Sequence, residues 1–366
     1  MKYAARKVIH LLEDYDNYET IIYNKDMHDW LTNKFLEETP DNKICVCAYA
    51  ASLNDPDLIF VTGDLCCKKI ANTIFVLTTE SVIDRQTEPY TGYVETTADD
   101  ELLCQLYSCP NDNIFNLLTN QYLIVRNENG DLIDKFKWDG SSLIPVKLKI
   151  LKSKFFGDVK PYNGDVYQQL AIDSFMNNQI TMVRGPAGTG KSYLALSYLF
   201  SILEKNKIRK IVMFCNTPKT LNSVGLGYYP GDKNMKLLDS SVGNMLSAKL
   251  GGHFEVEQLI AQNVLELLPL SDLRGFDTKD MRCAVYITEA QNMDIELMKL
   301  ALQRIGEDSV CIIDGDYNTQ VDMSSYAGAN NGMRRASEVY RGEDLYGEVE
   351  LKNIYRSRIA NIAEQM

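Results

Sequence analysis

The stretch QITMVRGPAGTGKSYLALSYLFSILEK, residues 179–205, constrains this chain more than any other. An apolar, strand-like run meets Gly185-Pro186-Ala187-Gly188-Thr189-Gly190-Lys191-Ser192, and a helix-compatible run follows. GxxxxGK[ST] between a strand and a helix is the layout of a loop that wraps a phosphate. The glycines let backbone N–H groups point inward around an anion, and the helix N-terminus adds partial positive charge. An ammonium at Lys191 suits β- and γ-phosphate oxygens, and the Ser192 hydroxyl suits Mg²⁺.

Around that loop the chain alternates. QITMV, IRKIVMFC, AVYI, VCII and EVELKN are short apolar runs separated by helical segments, which predicts a parallel α/β sheet across residues 157–366. Residues 78–156 read as a small β-rich connecting domain. Its clearest element is QYLIVRNENGDLIDKFKWDG, two alternating runs about an Asn129-Gly130 turn. Tyr122, Phe136 and Trp138 in this region suit either base stacking or core packing, and packing is the commoner use. Residues 1–77 mix helical and strand patterns: ARKVIHLLEDY has helical spacing, NKICVCAYAASL reads as a helix, and DLIFVTGDLCCKKIA reads as a strand ending at Gly63-Asp64.

Composition narrows the function classes. A net charge of −12 excludes a protein built to coat nucleic acid, so any backbone contact has to come from a local patch. Lys147, Lys149, Lys152, Lys154 and Lys160 form one such run, which also suits a solvated face. Nine cysteines and three histidines contain no CxxC pair and no zinc spacing. Cys45 and Cys47 alternate in a strand-like manner, Cys66 and Cys67 are neighbours, and the expectation is buried, reduced thiols. No apolar run reaches membrane-spanning length, and the opening MKYAARKVIHLLEDYDN lacks a signal-peptide core, so a cytoplasmic location is expected.

Further pieces follow in order: GDVKPYN with Gln168, GPAGTGKSYLA, VGLGYYPGD, LRG, ITEAQN, LQRIG, DGDYNTQVD and IYRSRIANIAEQM. In these the chain resembles the PhoH-like family of P-loop ATPases, which are similar to the motor domain of superfamily-one helicases. The resemblance implies a P-loop NTPase fold, ATP and Mg²⁺ as cofactors, and single-stranded nucleic acid, RNA before DNA, as partner. It also implies a homo-oligomer such as a hexameric ring. Gln168 would meet the adenine edge, Glu289 would orient or deprotonate the attacking water, and Gln320 would sense the γ-phosphate. Arg356, or Arg304 from a neighbouring subunit, would stabilise transition-state charge. A surface ion pair is the plain alternative for either arginine. Asn216-Thr217-Pro218 corresponds to a position that touches the nucleic-acid backbone.

Residues 1–77 resemble part of a PIN-type ribonuclease domain, which precedes the ATPase in the family's longer form. FVTGDLCCKKIAN is similar to the strand–turn that presents a metal-binding acid, here Asp64, and Asp41 fits another. A PIN site gathers several carboxylates around a divalent cation. Its first aspartate follows an N-terminal strand that this sequence does not match, so the expectation is a partial, non-nucleolytic PIN-like region.

One departure bears on the chemistry. The family has aspartate where this chain has Thr288, and threonine where it has Asp314. The two exchanges are reciprocal. If the strand ending in Asp314-Gly315 lies between the loop strand and the AVYI strand, Asp314 supplies the Mg²⁺-side carboxylate that Thr288 lacks. The alternative is that Asp314 only caps the next turn. Three functions compete: an ATP-hydrolysing motor on single-stranded nucleic acid, an ATP-fed ribonuclease, and a non-hydrolytic nucleotide-gated binding module.

Overall fold

The computed structural model describes residues 20–62, 64–81, 90–215, 241–318 and 330–355. They form two compact units, residues 1–89 and 90–366.

The first unit contains α1 (Lys25–Asn33), α2 (Pro40–Ser52), β1 (Ile59–Thr62), α3 (Leu65–Thr73) and β2 (Thr78–Ser81). Its strands form a two-stranded parallel sheet. Met27, Leu31, Cys45, Val46, Cys67, Ala71, Phe75 and Leu77 make its core. Cys45 and Cys47 lie in helix α2, as the helical reading of NKICVCAYAASL expected: Thr39 caps that helix and Pro40 opens it, which outweighs the strand-like alternation of the two cysteines.

The second unit begins with β3 (Tyr93–Thr97), α4 (Asp100–Ser108), β4 (Tyr122–Arg126), β5 (Leu132–Trp138) and β6 (Leu143–Pro145). β4 and β5 are antiparallel across the Asn129-Gly130 turn, where Gly130 has φ +83°. Tyr122, Phe136 and Trp138 are all buried, so none offers a free face to a base. A short hairpin of β7 (Leu151–Ser153) and β8 (Gly157–Val159) leads to the main sheet.

That sheet is built from β9 (Ile180–Arg184), β10 (Lys210–Cys215), β11 (Leu265–Pro269), β12 (Cys283–Ile287), β13 (Val310–Gly315) and β14 (Tyr346–Glu350). All pairings are parallel, and the order is β11-β10-β12-β13-β9-β14. Both faces are covered, which explains the near-continuous apolar strands. Val183, Met213, Tyr286, Ile312 and Val349 share one core with α5 (Val166–Asn177), α6 (Lys191–Glu204), α7 (Ser241–Leu250) and α8 (His253–Ala261). Met182, Val212, Val285, Ile313 and Tyr346 face the other, with α9 (Ile295–Leu302) and α10 (Gly332–Tyr340). The protein is therefore a mixed α/β chain with a P-loop NTPase-type parallel sheet.

Arg184, the last residue of β9, is 1% exposed and pairs with Glu348 of the neighbouring strand at 2.7 Å. Ser337 and Tyr346 hydroxyls donate to the other Glu348 oxygen. Burial raises the Glu348 carboxyl, while the Arg184 charge and these hydroxyls pull it down. The arrangement ties the base of the phosphate-binding loop to the edge strand. Among the described residues no helix is long and apolar enough to cross a membrane.

Candidate nucleotide site

β9 delivers the chain to the loop at the C-terminal end of the sheet, where ligands sit in open parallel α/β folds. Gly185 has φ +139°, and a Cβ there would lie 2.2 Å from the Leu351 carbonyl oxygen, so only glycine fits. Gly190, at φ +94°, is the N-cap of α6 and has no side chain to satisfy the first-turn N–H groups. Those donors are left for an anion. Thr189 is buried and its hydroxyl donates to the Pro186 carbonyl at 3.1 Å, bracing the turn. Lys191 Nζ donates to the Gly185 and Pro186 carbonyls, the latter at 3.0 Å, which parks the ammonium over the loop.

Beside this loop lies Asp314, 2% exposed. Strand order explains its place: β13 sits between β9 and β12, and Asp314 is in register with Val183. The Ser192 hydroxyl donates to Asp314 Oδ2 at 2.9 Å, the Tyr286 hydroxyl to the same oxygen at 2.6 Å, and the Glu289 N–H to Oδ1 at 3.2 Å. Burial and the Asp314 charge push the Tyr286 phenol well above its ordinary range, so it stays a donor. Thr288, 2% exposed, follows the end of β12, and its hydroxyl interacts with the same phenol. Residues 288 and 314 thus follow or end adjacent parallel strands, with the carboxylate against Ser192. Hydroxyl and carboxylate oxygens suit Mg²⁺, which keeps several waters and takes one or two protein ligands plus phosphates. Among the described residues no three His, Cys, Asp or Glu side chains cluster as a metal site, so phosphate and water oxygens would complete the shell.

Glu289 is exposed and holds a left-handed backbone at φ 53°, ψ 40°. That conformation is costly for a non-glycine residue and is tolerated where the surroundings fix it. Its Oε2 accepts from Gln291 Nε2 at 2.6 Å, Gln291 Oε1 accepts from the Asp316 N–H at 3.2 Å, and Asn331 Nδ2 donates to the Gln291 carbonyl at 2.8 Å. The Glu289 carboxylate is thereby held by Gln291, while the Glu289 backbone N–H is bound to Asp314.

Gln168, in α5, is 4% exposed; its Oε1 accepts from the Tyr162 N–H at 2.8 Å and its Nε2 donates to the Thr189 carbonyl at 3.0 Å. Arg304 lies in the turn after α9, beside residues whose carbonyls accept from Gln179 at the start of β9. That is the end of the sheet opposite the loop, so Arg304 is not gathered with Lys191 within one chain. Among the described residues its buried Nε has no hydrogen-bond partner. Gln320, Arg356, Asn216-Thr217-Pro218 and the segment 224–232 lie outside the described residues.

The remaining candidates are employed elsewhere. Asp64 is the N-cap of α3, accepting from the Cys67 N–H at 2.8 Å, and Asp41 lies exposed in the first turn of α2. Of the lysine run, Lys149 pairs with Asp173 at 2.8 Å and the others are exposed. All nine cysteines are free; Cys45, Cys67, Cys215, Cys283 and Cys311 are buried, but Cys66, Cys104 and Cys109 are exposed. Cys47 is half-buried, so the expectation of uniformly buried thiols fails outright at Cys66, Cys104 and Cys109 and in part at Cys47.

Sequence reasoning missed several neighbours of the loop. Tyr286 read only as an apolar strand residue. Lys249 of α7 places its ammonium 5.5 Å from the Tyr193 ring centre, and burial lowers its pKa against the opposing pull of Asp314. The Tyr162 and Tyr355 rings meet beside the loop at 4.5 Å between centres.

Residues 159–366 match the family model described as PhoH-like protein. Protein PhoH2 of Bacillus subtilis is 27% identical over 366 residues, spanning 91% of this chain and 78% of that protein. Protein PhoH2 of Thermobispora bispora is 31% identical over 211 residues, spanning 54% of this chain and 45% of that protein. The chain therefore spans about half the length of the latter relative. Among solved structures, the Pif1 helicase of Candida albicans is 15% identical with a TM-score of 0.27, covering 52% of this chain and 40% of that one.

Proposed function

The chain belongs to the PhoH-like protein family, and from that membership we propose that it hydrolyses ATP and couples hydrolysis to binding or remodelling single-stranded nucleic acid, with RNA the first substrate to test. The observation that carries the ATPase reading is the contact of Ser192 with Asp314 at 2.9 Å, with the Glu289 backbone bound to the same carboxylate.

The loop amides and the first turn of α6 hold the phosphates, and Lys191 leaves the Gly185 and Pro186 carbonyls for β- and γ-phosphate oxygens. Ser192 and Asp314, already joined at 2.9 Å, are the residues that would hold Mg²⁺, and a bound cation there would supply charge neutralisation at the phosphates. Glu289 orients the attacking water and accepts its proton. Gln320 reads the γ-phosphate, and Arg356, or Arg304 of a neighbouring subunit in a homo-oligomeric ring such as a hexamer, meets the transition state. The protein works in the cytoplasm.

Two rival readings have less support. The ribonuclease reading needs a PIN-like carboxylate cluster, whereas Asp64 is committed to a helix cap and Asp41 to a helix first turn. The non-hydrolytic reading rests on Thr288, but the carboxylate at Asp314 answers that loss.

The test is phosphate release from ATP, with and without single-stranded RNA or DNA, against a Lys191→Ala control. Stimulated release that falls about a thousandfold in the control is expected. Equal release from both proteins contradicts the reading. A ladder of RNA products in Mn²⁺, lost in Asp64→Ala, would restore the nuclease.

A further inference from the structure

A triphosphate held by the loop must place its base somewhere along the loop's flank, and that flank is aromatic. Tyr162 is 56% exposed, and its ring centre is 4.5 Å from that of Tyr355. Both tyrosines are fastened to the loop. The Tyr355 N–H donates to the Gly188 carbonyl at 2.9 Å. The Tyr162 N–H donates to Gln168 Oε1, whose own Nε2 donates to the Thr189 carbonyl. The platform is braced from below as well. Asp165 caps α5 with Oδ1, while Oδ2 accepts from the Tyr355 hydroxyl at 2.6 Å and from Asn353 Nδ2 at 3.1 Å. Burial and the Asp165 carboxylate push the Tyr355 phenol up to about 12, so it remains a donor at neutral pH.

This wiring gives Gln168 a different task from base reading. Its amide is buried, and each end is engaged by a backbone group, the Tyr162 N–H or the Thr189 carbonyl, that has no other side-chain partner among the described residues. Turning Nε2 toward a base would strand the buried Thr189 carbonyl, and turning Oε1 would release the half-buried Tyr162 N–H, at a cost comparable to what the new hydrogen bond returns. A Cβ at Gly190 would sit 3.1 Å from Gln168 Nε2, so the loop packs directly on the amide. Stacking on an aromatic face is sequence-tolerant, because every base has a π-face.

We infer that Tyr162, backed by Tyr355, is the base platform of this site, that Gln168 is a positioning residue joining platform to loop, and that the site consequently takes nucleoside triphosphates of any base. The inference rests on the nucleotide-site reading above and adds its substrate class. Asn163, exposed on the same turn, is the side chain placed to oppose it by reading a base edge.

The experiment has two arms on the intact chain. In the first, hydrolysis of ATP, GTP, CTP and UTP is compared. In the second, ADP, GDP, CDP, UDP and inorganic tripolyphosphate compete for binding to the wild type and variants. The four triphosphates should agree in kcat/KM within about fivefold, purines leading because larger rings stack better. Tyr162→Ala should weaken all four diphosphates about tenfold and leave tripolyphosphate unchanged, and Tyr162→Phe should bind as the wild type does. Gln168→Ala should weaken tripolyphosphate too, since it loosens the loop itself. A preference for ATP above about thirtyfold overturns the inference, whether Gln168→Ala or Asn163→Ala abolishes it. So does a Tyr162→Ala protein that binds every diphosphate normally. Absence of hydrolysis with all four triphosphates would instead strike the ATPase reading, and the diphosphate arm would still decide the platform.

Discussion

Asp64 and Asp314 are both aspartates at the end of an apolar strand, and they do opposite things. Asp64 follows a strand of a two-stranded sheet, is exposed, and spends its carboxylate on capping the next helix. Asp314 ends a central strand of a six-stranded parallel sheet, is buried, and gathers Ser192, Tyr286 and the Glu289 backbone from three other elements. The strand-end position is common to both. What differs is the neighbourhood: parallel strands on either side of β13 bring further donors to the same end, and nothing comparable is described around β1. An acid at a strand end becomes a site only when adjacent strands converge on it.

The largest way to break this contrast is to unpin the loop strand. Arg184→Met leaves Glu348 buried without its cation and should cost about 3–5 kcal/mol in urea unfolding. The double variant Arg184→Met with Glu348→Leu should recover most of that loss. An Arg184→Met protein as stable as the wild type would mean that the pair does not anchor the loop. A smaller effect sharpens the other side. Asp64→Ala should lower stability by about 1 kcal/mol through the lost cap, and leave ATP hydrolysis within about twofold. A collapse of hydrolysis would give Asp64 a catalytic part that its geometry does not suggest.

The smallest effect concerns Glu95, which links β3 to α5 through Tyr167 and to Lys352. Burial pushes its carboxyl up, but hydrogen bonds from Lys352, Arg126 and Tyr167 outweigh this and hold it below the ordinary value. A lowered folded-state value means stability that is present above the unfolded value and lost as pH falls through the folded one. Screened by solvent, it should amount to less than about 1 kcal/mol. The stability gap between wild type and Glu95→Gln should therefore close as pH is lowered from about 6 to below about 4. A gap that widens on acidification would reverse the sign.

Much of the loop half was legible because its constraints are local. GPAGTGKS between a strand and a helix fixes a turn, and five of the six main strands announce themselves as short apolar runs. β11 escaped because LELLP follows a helical segment without a period of its own. The nearness of Asp314 to Ser192 could be read only through the reciprocal exchange with Thr288, since strand order is not written in any single stretch. Tyr286 and Lys249 left no such trace, because an apolar run and a helix face look the same with or without a neighbouring phosphate site. The Tyr162 and Tyr355 platform joins residues far apart in sequence, and only the fold brings their rings to 4.5 Å. In the first unit the helix at NKICVCAYAASL was legible despite the alternating cysteine pair, because the cap at Thr39 and Pro40 at its start favour a helix there.

The central claim is that Asp314 carries the metal-side carboxylate that Thr288 does not. Binding of Mn²⁺ with a non-hydrolysable ATP analogue, followed by electron paramagnetic resonance, tests it without depending on turnover. Asp314→Thr should weaken Mn²⁺ binding about a hundredfold, Thr288→Asp should change it little, and the double exchange should restore most of the affinity. Undiminished Mn²⁺ binding in Asp314→Thr would contradict the account.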